Sequence, residues 1–478
     1  MQISLEGSAG RLRLATTLVA ALAVSGCATA PHKTALQPIA GPQSFEAARA
    51  LESGQAEWPS DGWWKAFGDG QLDSLIAEGL GGATDIRVAQ ARFDRAQAIV
   101  GQARSQLLPS INASAEGGLS QQSDNYLFPS GFAPRGWPDY GQASLSLNWE
   151  LDFWGKNRAA LAAAKADAQA AQAEAAATRL TVAAGIANAY ADLAGYYAEL
   201  DAAQDAVRVR GQTHDLIVGR RNKGLENDGA VQRAASSLAS AQGQLAALEE
   251  TIALTRNRIA ALMGAGPDRG LTITRPMLRT SGVEGLPANI PAELIGRRPD
   301  IIAARLTAEA AASRIKQARA AFYPNINLTG LIGMQAMGID KIFKSGSDYG
   351  SVAPALSLPI FDGGRLRANY RGSEADYQSA VAQYDGTLVQ ALREVADAAA
   401  SQRALSARLD RAQAAERAAQ AAWTVANNRY RGGLATYLDV LTAEDTLIST
   451  RQTVASLQTR VFSLDIALIR SLGGGFRS

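Results

Sequence analysis

Apolar and polar positions alternate along this chain with two different periods, and the change of period happens twice. From Thr84, a fitting N-cap ahead of Asp85, apolar residues fall at Ile86, Ala89, Phe93, Ala96 and Val100 and continue to Leu107. That spacing predicts an amphipathic helix, and Pro109 must end it because the residue before a proline is pushed into extended geometry. A shorter helix is predicted just before it, from Leu72 to Leu80. Beyond Pro109 the period falls to two. Ser110, Asn112 and Ser114 alternate with Ile111, Ala113 and Ala115, and later Leu145, Leu147, Trp149 and Leu151 alternate with Ser144, Ser146, Asn148 and Glu150. Such segments predict strands with one wet and one apolar face. The same pattern returns when Asn325, Asn327 and Thr329 oppose Ile326, Leu328 and Gly330. Val352, Leu356, Leu358 and Ile360 then oppose Ser351, Ala353, Ala355 and Ser357. Alternating segments of about ten residues between turn-rich loops fit outer-membrane strands. Taken alone, they fit two amphipathic hairpins over a soluble core equally well.

After each pair of strands comes a long proline-free helical stretch, at about 156–221 and 365–431. Some 65 residues at a rise of about 1.5 Å would make a rod of about 100 Å. Gly224 and Gly432-Gly433 supply helix-ending turns, and return helices are predicted at about 230–263 and 436–472. Between the copies, residues 264–299 carry Pro267, Pro276, Pro287, Pro291 and Pro299 and read as a loop-rich connector, with a short strand expected at Leu271-Thr272-Ile273-Thr274. Particular residues also recur. Asp85-Ile86 and Pro109 return as Asp300-Ile301 and Pro324, an offset of 215, while Gly155, Gly224-Leu225 and Gly264 return as Gly364, Gly433-Leu434 and Gly473, an offset of 209. The six extra residues of the first copy lie between Asn112 and Gly155, and an exposed loop before Ala143 is their expected place. Two copies are too few for a solenoid, so the chain reads as one duplicated architecture. Four strands cannot close a barrel, and an open edge in lipid leaves backbone groups unpaired. If the strands span a membrane, several chains must share one barrel.

Composition narrows the function. Hydrophobic residues make up 47% of the chain but aromatics only 6%, which suits long, closely approaching helices. A net charge of +2 gives no nucleic-acid surface. His32 and His214 lie far apart, so no metal site is expected, and no cofactor either. No Ser/His/Asp set is visible. Gly264-Ala265-Gly266-Pro267 reads as a turn after a helix rather than a phosphate loop, and Asp362-Gly363-Gly364 as a strand-to-helix corner. The chain therefore does not read as an enzyme. Its single cysteine follows Arg11, Arg13, an apolar run from Leu14 to Val24, and Ser25-Gly26. That is a secretory signal peptide, too short to span a bilayer. Val24-Ser25-Gly26-Cys27 resembles the bacterial lipobox, in which cysteine is acylated and becomes the first residue. A plain small-residue cleavage site is the other reading.

Several motifs go further. Trp63-Trp64, Phe67, Leu72 and Leu75-Ile76 come first, followed by Pro291-Ala292-Glu293-Leu294-Ile295 with Arg297-Arg298-Pro299-Asp300-Ile301, and then by Ala318-Arg319-Ala320-Ala321-Phe322-Tyr323-Pro324. With Leu358-Pro359-Ile360-Phe361-Asp362-Gly363-Gly364 and Leu472-Gly473-Gly474-Gly475, these resemble the TolC/NodT-like outer-membrane efflux lipoproteins over nearly the whole mature chain. The resemblance implies a mixed α and membrane-β fold with two repeats per chain. Three chains would form a 12-stranded β-barrel continued by a long α-helical periplasmic barrel. It also implies a homotrimer in outer-membrane lipid, docked to a periplasmic adaptor protein and an inner-membrane pump, serving as a passive conduit for efflux such as multidrug efflux.

On this reading residues 1–26 are the signal peptide and 27–60 a lipid-anchored extended leader. Residues 61–264 are the first repeat with strands at about 110–151, and 265–298 an equatorial connector. Residues 299–473 are the second repeat with strands at about 325–361, and 474–478 the tail. Besides Cys27 for acylation, the candidate functional residues are Tyr430, Arg431, Leu438, Asp439, Asp445 and Asp228. They lie at the two periplasmic turns, where a bore must narrow at rest and where rings of carboxylates suit a gate. The alternative function is a periplasmic adaptor or coiled-coil scaffold lipoprotein.

Overall fold

The computed structural model describes residues 38–41, 44–47, 49, 51, 56–121, 123, 136–279 and 286–477. The signal peptide, Cys27 and His32 lie outside these residues. The described chain divides into two compact units. One comprises Asp94–Ala170 and Arg305–Gln383 with Pro38, and the other Ile39–Phe93, Ala171–Ala304 and Tyr384–Ser478.

The first unit holds the sheet. Its strands are β1 (Ser110–Leu119), β2 (Asp139–Glu150), β3 (Asn325–Met337) and β4 (Asp348–Ser357), paired antiparallel in the order β1-β2-β3-β4. The β2–β3 pairing joins the two copies into one sheet and leaves β1 and β4 as its edges. Register sorts the two faces, because directly opposed residues share a side. One row runs Ile111, Leu147, Gly330, Val352, and the next Ala113, Leu145, Ile332, Gly350; Trp149, Leu328 and Pro354 form a third. The opposite face carries Ser110, Asn148, Thr329 and Ala353, then Asn112, Ser146, Leu331 and Ser351. Its polar groups bond across strands: the Ser114 and Ser144 hydroxyls lie 2.9 Å apart, Tyr140 Oη donates to Glu116 at 2.7 Å, and Gln142 Nε2 donates to Tyr349 Oη at 2.6 Å. The apolar face is bare in the single chain, with Ile332 66% and Val352 78% exposed. An uncovered apolar sheet face bordered by two unpaired edges needs lipid on the face and further chains at the edges.

The apolar alternation through Leu358 and Ile360 does not extend the ladder. β4 ends at Ser357, opposite Asn325, not near 361. Pro359 has no N–H to give, and Gly363 and Gly364 at positive φ turn the chain instead. Asp362 then accepts from Gly364 N at 3.0 Å and Leu366 N at 2.7 Å, starting the next helix at the expected corner. Trp154 stacks on Tyr323 with centroids 4.8 Å apart and donates to Pro324 O at 2.8 Å, placing aromatic rings where the strands give way to helices.

The helices repeat with matched lengths. They are α1 (Gly70–Gly82), α2 (Thr84–Ser105), α3 (Lys156–Asn222), α4 (Asp228–Leu262), α5 (Pro267–Leu271), α6 (Ile290–Arg297), α7 (Pro299–Ala320), α8 (Arg365–Arg431) and α9 (Tyr437–Ser471). α2 and α7 have 22 residues each, α3 and α8 have 67, and α4 and α9 have 35. Their starts differ by 215 before the strands (84 and 299) and by 209 after them (156 and 365, 228 and 437). Two local expectations fail. Thr84 lies inside the first turn of α2, where Ala83 O accepts from Arg87 N at 3.3 Å. The Leu271–Thr274 segment forms no strand: Gly266 and Pro267 start α5 instead, and Thr274 N donates to Gln71 Oε1 at 2.9 Å.

Two large clusters of buried apolar residues lie in the second unit. One gathers Leu72, Leu75, Ile76, Ile186, Leu193 and Ile259, the other Leu294, Ile301, Leu388, Val395, Leu468 and Leu472. Leu51 is buried in the second cluster with Phe45 and Trp58 beside it, so these residues ahead of the first repeat pack on the core. Asp69 ties the first cluster together, accepting from Gln71 N at 2.9 Å, Tyr190 Oη at 2.9 Å and Met277 N at 2.7 Å. Burial, with that carboxylate beside it, pushes the Tyr190 hydroxyl well above the ordinary tyrosine range. Arg298, from the Arg-Arg-Pro-Asp motif, ties the second cluster. Its buried guanidinium forks onto Asp300 at 3.0 and 2.6 Å and reaches Glu394 at 2.8 Å and Ser471 O at 3.1 Å.

Candidate periplasmic gate

The helices end in two turns built alike. After α3, Leu225 N bonds Arg220 O at 2.9 Å and Gly224 takes φ +75°; after α8, Leu434 N bonds Arg429 O at 2.8 Å and Gly433 takes φ +73°. This is the glycine-terminated helix end in which the last carbonyls are satisfied by the residues just past it. The return helices are capped at equivalent positions. Asn227 Oδ1 accepts from Ala230 N at 2.9 Å. Thr436 Oγ1 accepts from Asp439 N at 3.4 Å, while Asp439 Oδ2 accepts from Thr436 N at 2.8 Å. Asp439 is therefore half of a capping box. The Thr436 backbone N–H, and then its hydroxyl, hold that carboxyl below the usual aspartate range, so it is ionised at neutral pH.

Beneath the turns Ile217, Ala230, Ala234, Tyr430, Tyr437 and Val440 form a small buried cluster. Tyr430 is its anchor at 1% exposure. Its hydroxyl donates to Glu226 Oε1 at 2.9 Å, bonding the end of α8 to the other turn. Arg220 lies over the ring at 4.7 Å from the centroid and donates to Tyr430 O at 3.2 Å. Burial, with the Glu226 carboxylate beside it, pushes the Tyr430 phenol far above its ordinary value. Of the other expected residues, Asp228 pairs with Arg221 at 2.8 Å in the open and Asp445 pairs with Arg210 at 2.7 Å. Arg431 and Leu438 are exposed on the single chain. The six residues thus share one end of the second unit but occupy different settings there: buried anchor, helix cap, ion pair and bare surface.

Sequence reasoning missed Arg210, Arg220, Glu226 and Glu444. Glu444 could have been found. It falls on the helical stripe of Tyr437, Val440 and Leu447, all buried, where a carboxylate is out of place. Among the described residues no cluster of His, Cys, Asp and Glu could hold a metal, and no helix is long and apolar enough to cross a membrane.

Comparison with known proteins adds the family. Residues 75–265 and 290–474 match the family described as outer membrane efflux protein, so each repeat matches separately. The chain is 36% identical to the fusaric acid resistance protein FusA of Burkholderia cepacia, over 77% of this chain and 70% of that one. It is 31% identical to the multidrug resistance outer membrane protein MdtP of Escherichia coli K12, over 98% of this chain and 97% of that one. The crystal structure of the outer membrane protein VceC from Vibrio cholerae superposes with a TM-score of 0.83 at 44% identity, covering 88% of this chain and all of that one. The alternative of an adaptor or scaffold lipoprotein gives way to these channels. With two repeats and, among the described residues, four strands, a third of a trimeric twelve-stranded barrel, this protein is an outer-membrane channel extending into the periplasm, not an enzyme, and it belongs to the outer membrane efflux protein family.

Proposed function

We propose that the paired turns are the resting gate of a passive conduit that a periplasmic adaptor opens and an inner-membrane pump drives. The Tyr430–Glu226 hydrogen bond carries this reading, because it ties the two turns of one chain to each other at the end of the long helices. The exposed Leu225, Leu434 and Leu438 beside it give an adaptor an apolar foothold. The names of FusA and MdtP support small organic toxicants as cargo.

Tyr430→Phe tests the gate. A hydrogen bond to a charged acceptor contributes about 1.5–3 kcal/mol, so losing it should shift the closed–open balance by about tenfold or more. The conductance of trimers in planar bilayers should rise accordingly, and cells should admit a bulky dye. Unchanged conductance with intact trimers would refute a gate at this place.

We further propose that Cys27 is acylated and that residues 27–60 lead from the lipid anchor, on the strength of the Val24–Cys27 motif and the packed Leu51. Cys27→Ser should lose the acyl mass on mass spectrometry yet still require detergent for extraction, because the sheet holds the protein in lipid. A water-soluble Cys27→Ser protein would contradict the assignment of the apolar face.

A further inference from the structure

The buried Glu444, with Arg210 and the exposed Asp445 beside it, is not explained by closure of the turns alone. Glu444 is 1% exposed on α9. Thr213 Oγ1 of α3 donates to its Oε2 at 3.2 Å, and Arg210 Nε of α3 stands 3.6 Å from Oε1, just beyond hydrogen-bond reach. The Trp423 indole of α8 also faces this carboxylate. Arg210 Nε and Trp423 Nε1 are both buried without a hydrogen-bond partner. Arg210 meanwhile spends its other nitrogens on Ser237 O of α4 at 2.9 Å and on Asp445 at 2.7 Å. Three helices therefore meet around one carboxylate, whose nearest cation is shared with a second acid and with α4. A buried charge so loosely paired is poorly compensated for its lost hydration.

We propose that Arg210 and Glu444 form a proton-sensitive latch tying α9 to α3, which holds the gate shut more firmly in acid than at neutral pH. This rests on the turns being the gate. The groups that act on Glu444 are Arg210 and Thr213 from α3, Trp423 from α8, and Asp445 and Tyr437 on α9 itself; Arg233 of α4 acts on Tyr437. Burial pushes the Glu444 carboxyl above the usual range, outweighing the opposing pull of Arg210. The packed state consequently holds a proton more tightly than a state in which Glu444 meets water. Acid then favours the packed state, and the advantage fades as pH rises from about 4.3, the solvated glutamate value, through the raised one.

The test uses full-length trimers in planar bilayers between pH 4.5 and 8. Wild type should conduct less in acid. Glu444→Gln, which fixes the neutral form, should be mostly closed and indifferent to pH. Arg210→Met should raise open probability at pH 7.5 by about tenfold or more, since it strands a buried carboxylate, and acid should restore closure. The double variant should behave like Glu444→Gln. His214, paired with Asp215 at 3.3 Å one residue from Thr213, calls for His214→Gln as a control, which should keep the wild-type profile. A wild-type profile in Glu444→Gln, or unchanged opening in Arg210→Met, overturns the latch. If Arg210→Met does not assemble, hydrogen exchange on wild type decides. Amides of residues 434–447 should be better protected in acid after correction for intrinsic rates, and equal protection across pH overturns the proposal. If Tyr430→Phe opens the channel while Glu444→Gln tracks wild type, the latch alone falls. If neither variant moves conductance, the gate itself falls with it.

Discussion

Replacing Ile332 by arginine is expected to keep the protein out of the outer membrane, whereas replacing its neighbour Leu331 by arginine is expected to leave insertion intact. The two residues have the same chemistry and adjoin in the middle of β3, yet they stand on opposite faces. Ile332 aligns with Leu145 and Gly350 on the bare apolar face, and Leu331 with Ser146 and Ser351 on the polar one. An arginine facing lipid near mid-depth costs about 2–4 kcal/mol per barrel strand, and a shared barrel meets that cost in each of three chains. Leu331→Arg instead adds a cation to a wall whose described strands contain no lysine or arginine. Its trimers should assemble and conduct, with the reversal potential in a salt gradient shifted toward anions. Membrane fractionation and the unheated trimer band on a gel check the first outcome, and bilayer recordings the second. Equal insertion of both variants would mean that the faces are reversed or that neither meets lipid.

Loss of Arg298 should be strongly destabilising to the second unit. Its side chain is 8% exposed, and it neutralises Asp300 and Glu394 while bonding the last carbonyl of α9 at Ser471. Arg298→Met leaves two carboxylates facing each other over an apolar stem. Breaking a buried pair in this way costs about 3 kcal/mol, the low end of the usual range, because both acids keep part of their hydration. Arg298→Lys retains the charge but not the fork, so one ammonium cannot reproduce the two bonds to Asp300, and it should lose a substantial part of that stability. Thermal unfolding of detergent-solubilised protein should rank wild type above Arg298→Lys and that above Arg298→Met. Superimposable melting curves for all three would show that the motif serves something other than stability.

Most of the fold was legible because two independent signals agreed. Period-two alternation placed the strands, and the 215 and 209 offsets required the second copy to repeat the first. Where only one signal was available, the reading slipped. Leu271-Thr272-Ile273-Thr274 alternates like a strand, but Gly266 and Pro267 had already committed the chain to a helical turn, and the following backbone found a side-chain partner in Gln71. Leu358 and Ile360 continue the alternation past the point where Pro359 can support a ladder. At the candidate gate, Thr436 with Asp439 three residues on has the capping-box spacing, which accounts for the aspartate before any gating role is considered. Arg210 and Glu444 could not be paired from sequence, since 234 positions separate them and only packing brings α3 to α9. Tyr430 was legible as a turn residue, but its bond to Glu226 joins opposite copies and has no local signature.

The equal lengths of corresponding helices restrict how such a chain can be resized. Seven residues make nearly two helical turns, so excising seven keeps a side chain close to its original bearing. Taken from α3 alone, that excision would pull one turn back by about 10 Å while its twin stayed in place. Glu226 and Tyr430 could then no longer meet. Trimming or extension is tolerable only as a coordinated edit, made at matching points in α3, α4, α8 and α9, so relatives adapted to a wider or narrower gap between membranes should differ by insertions that come in fours.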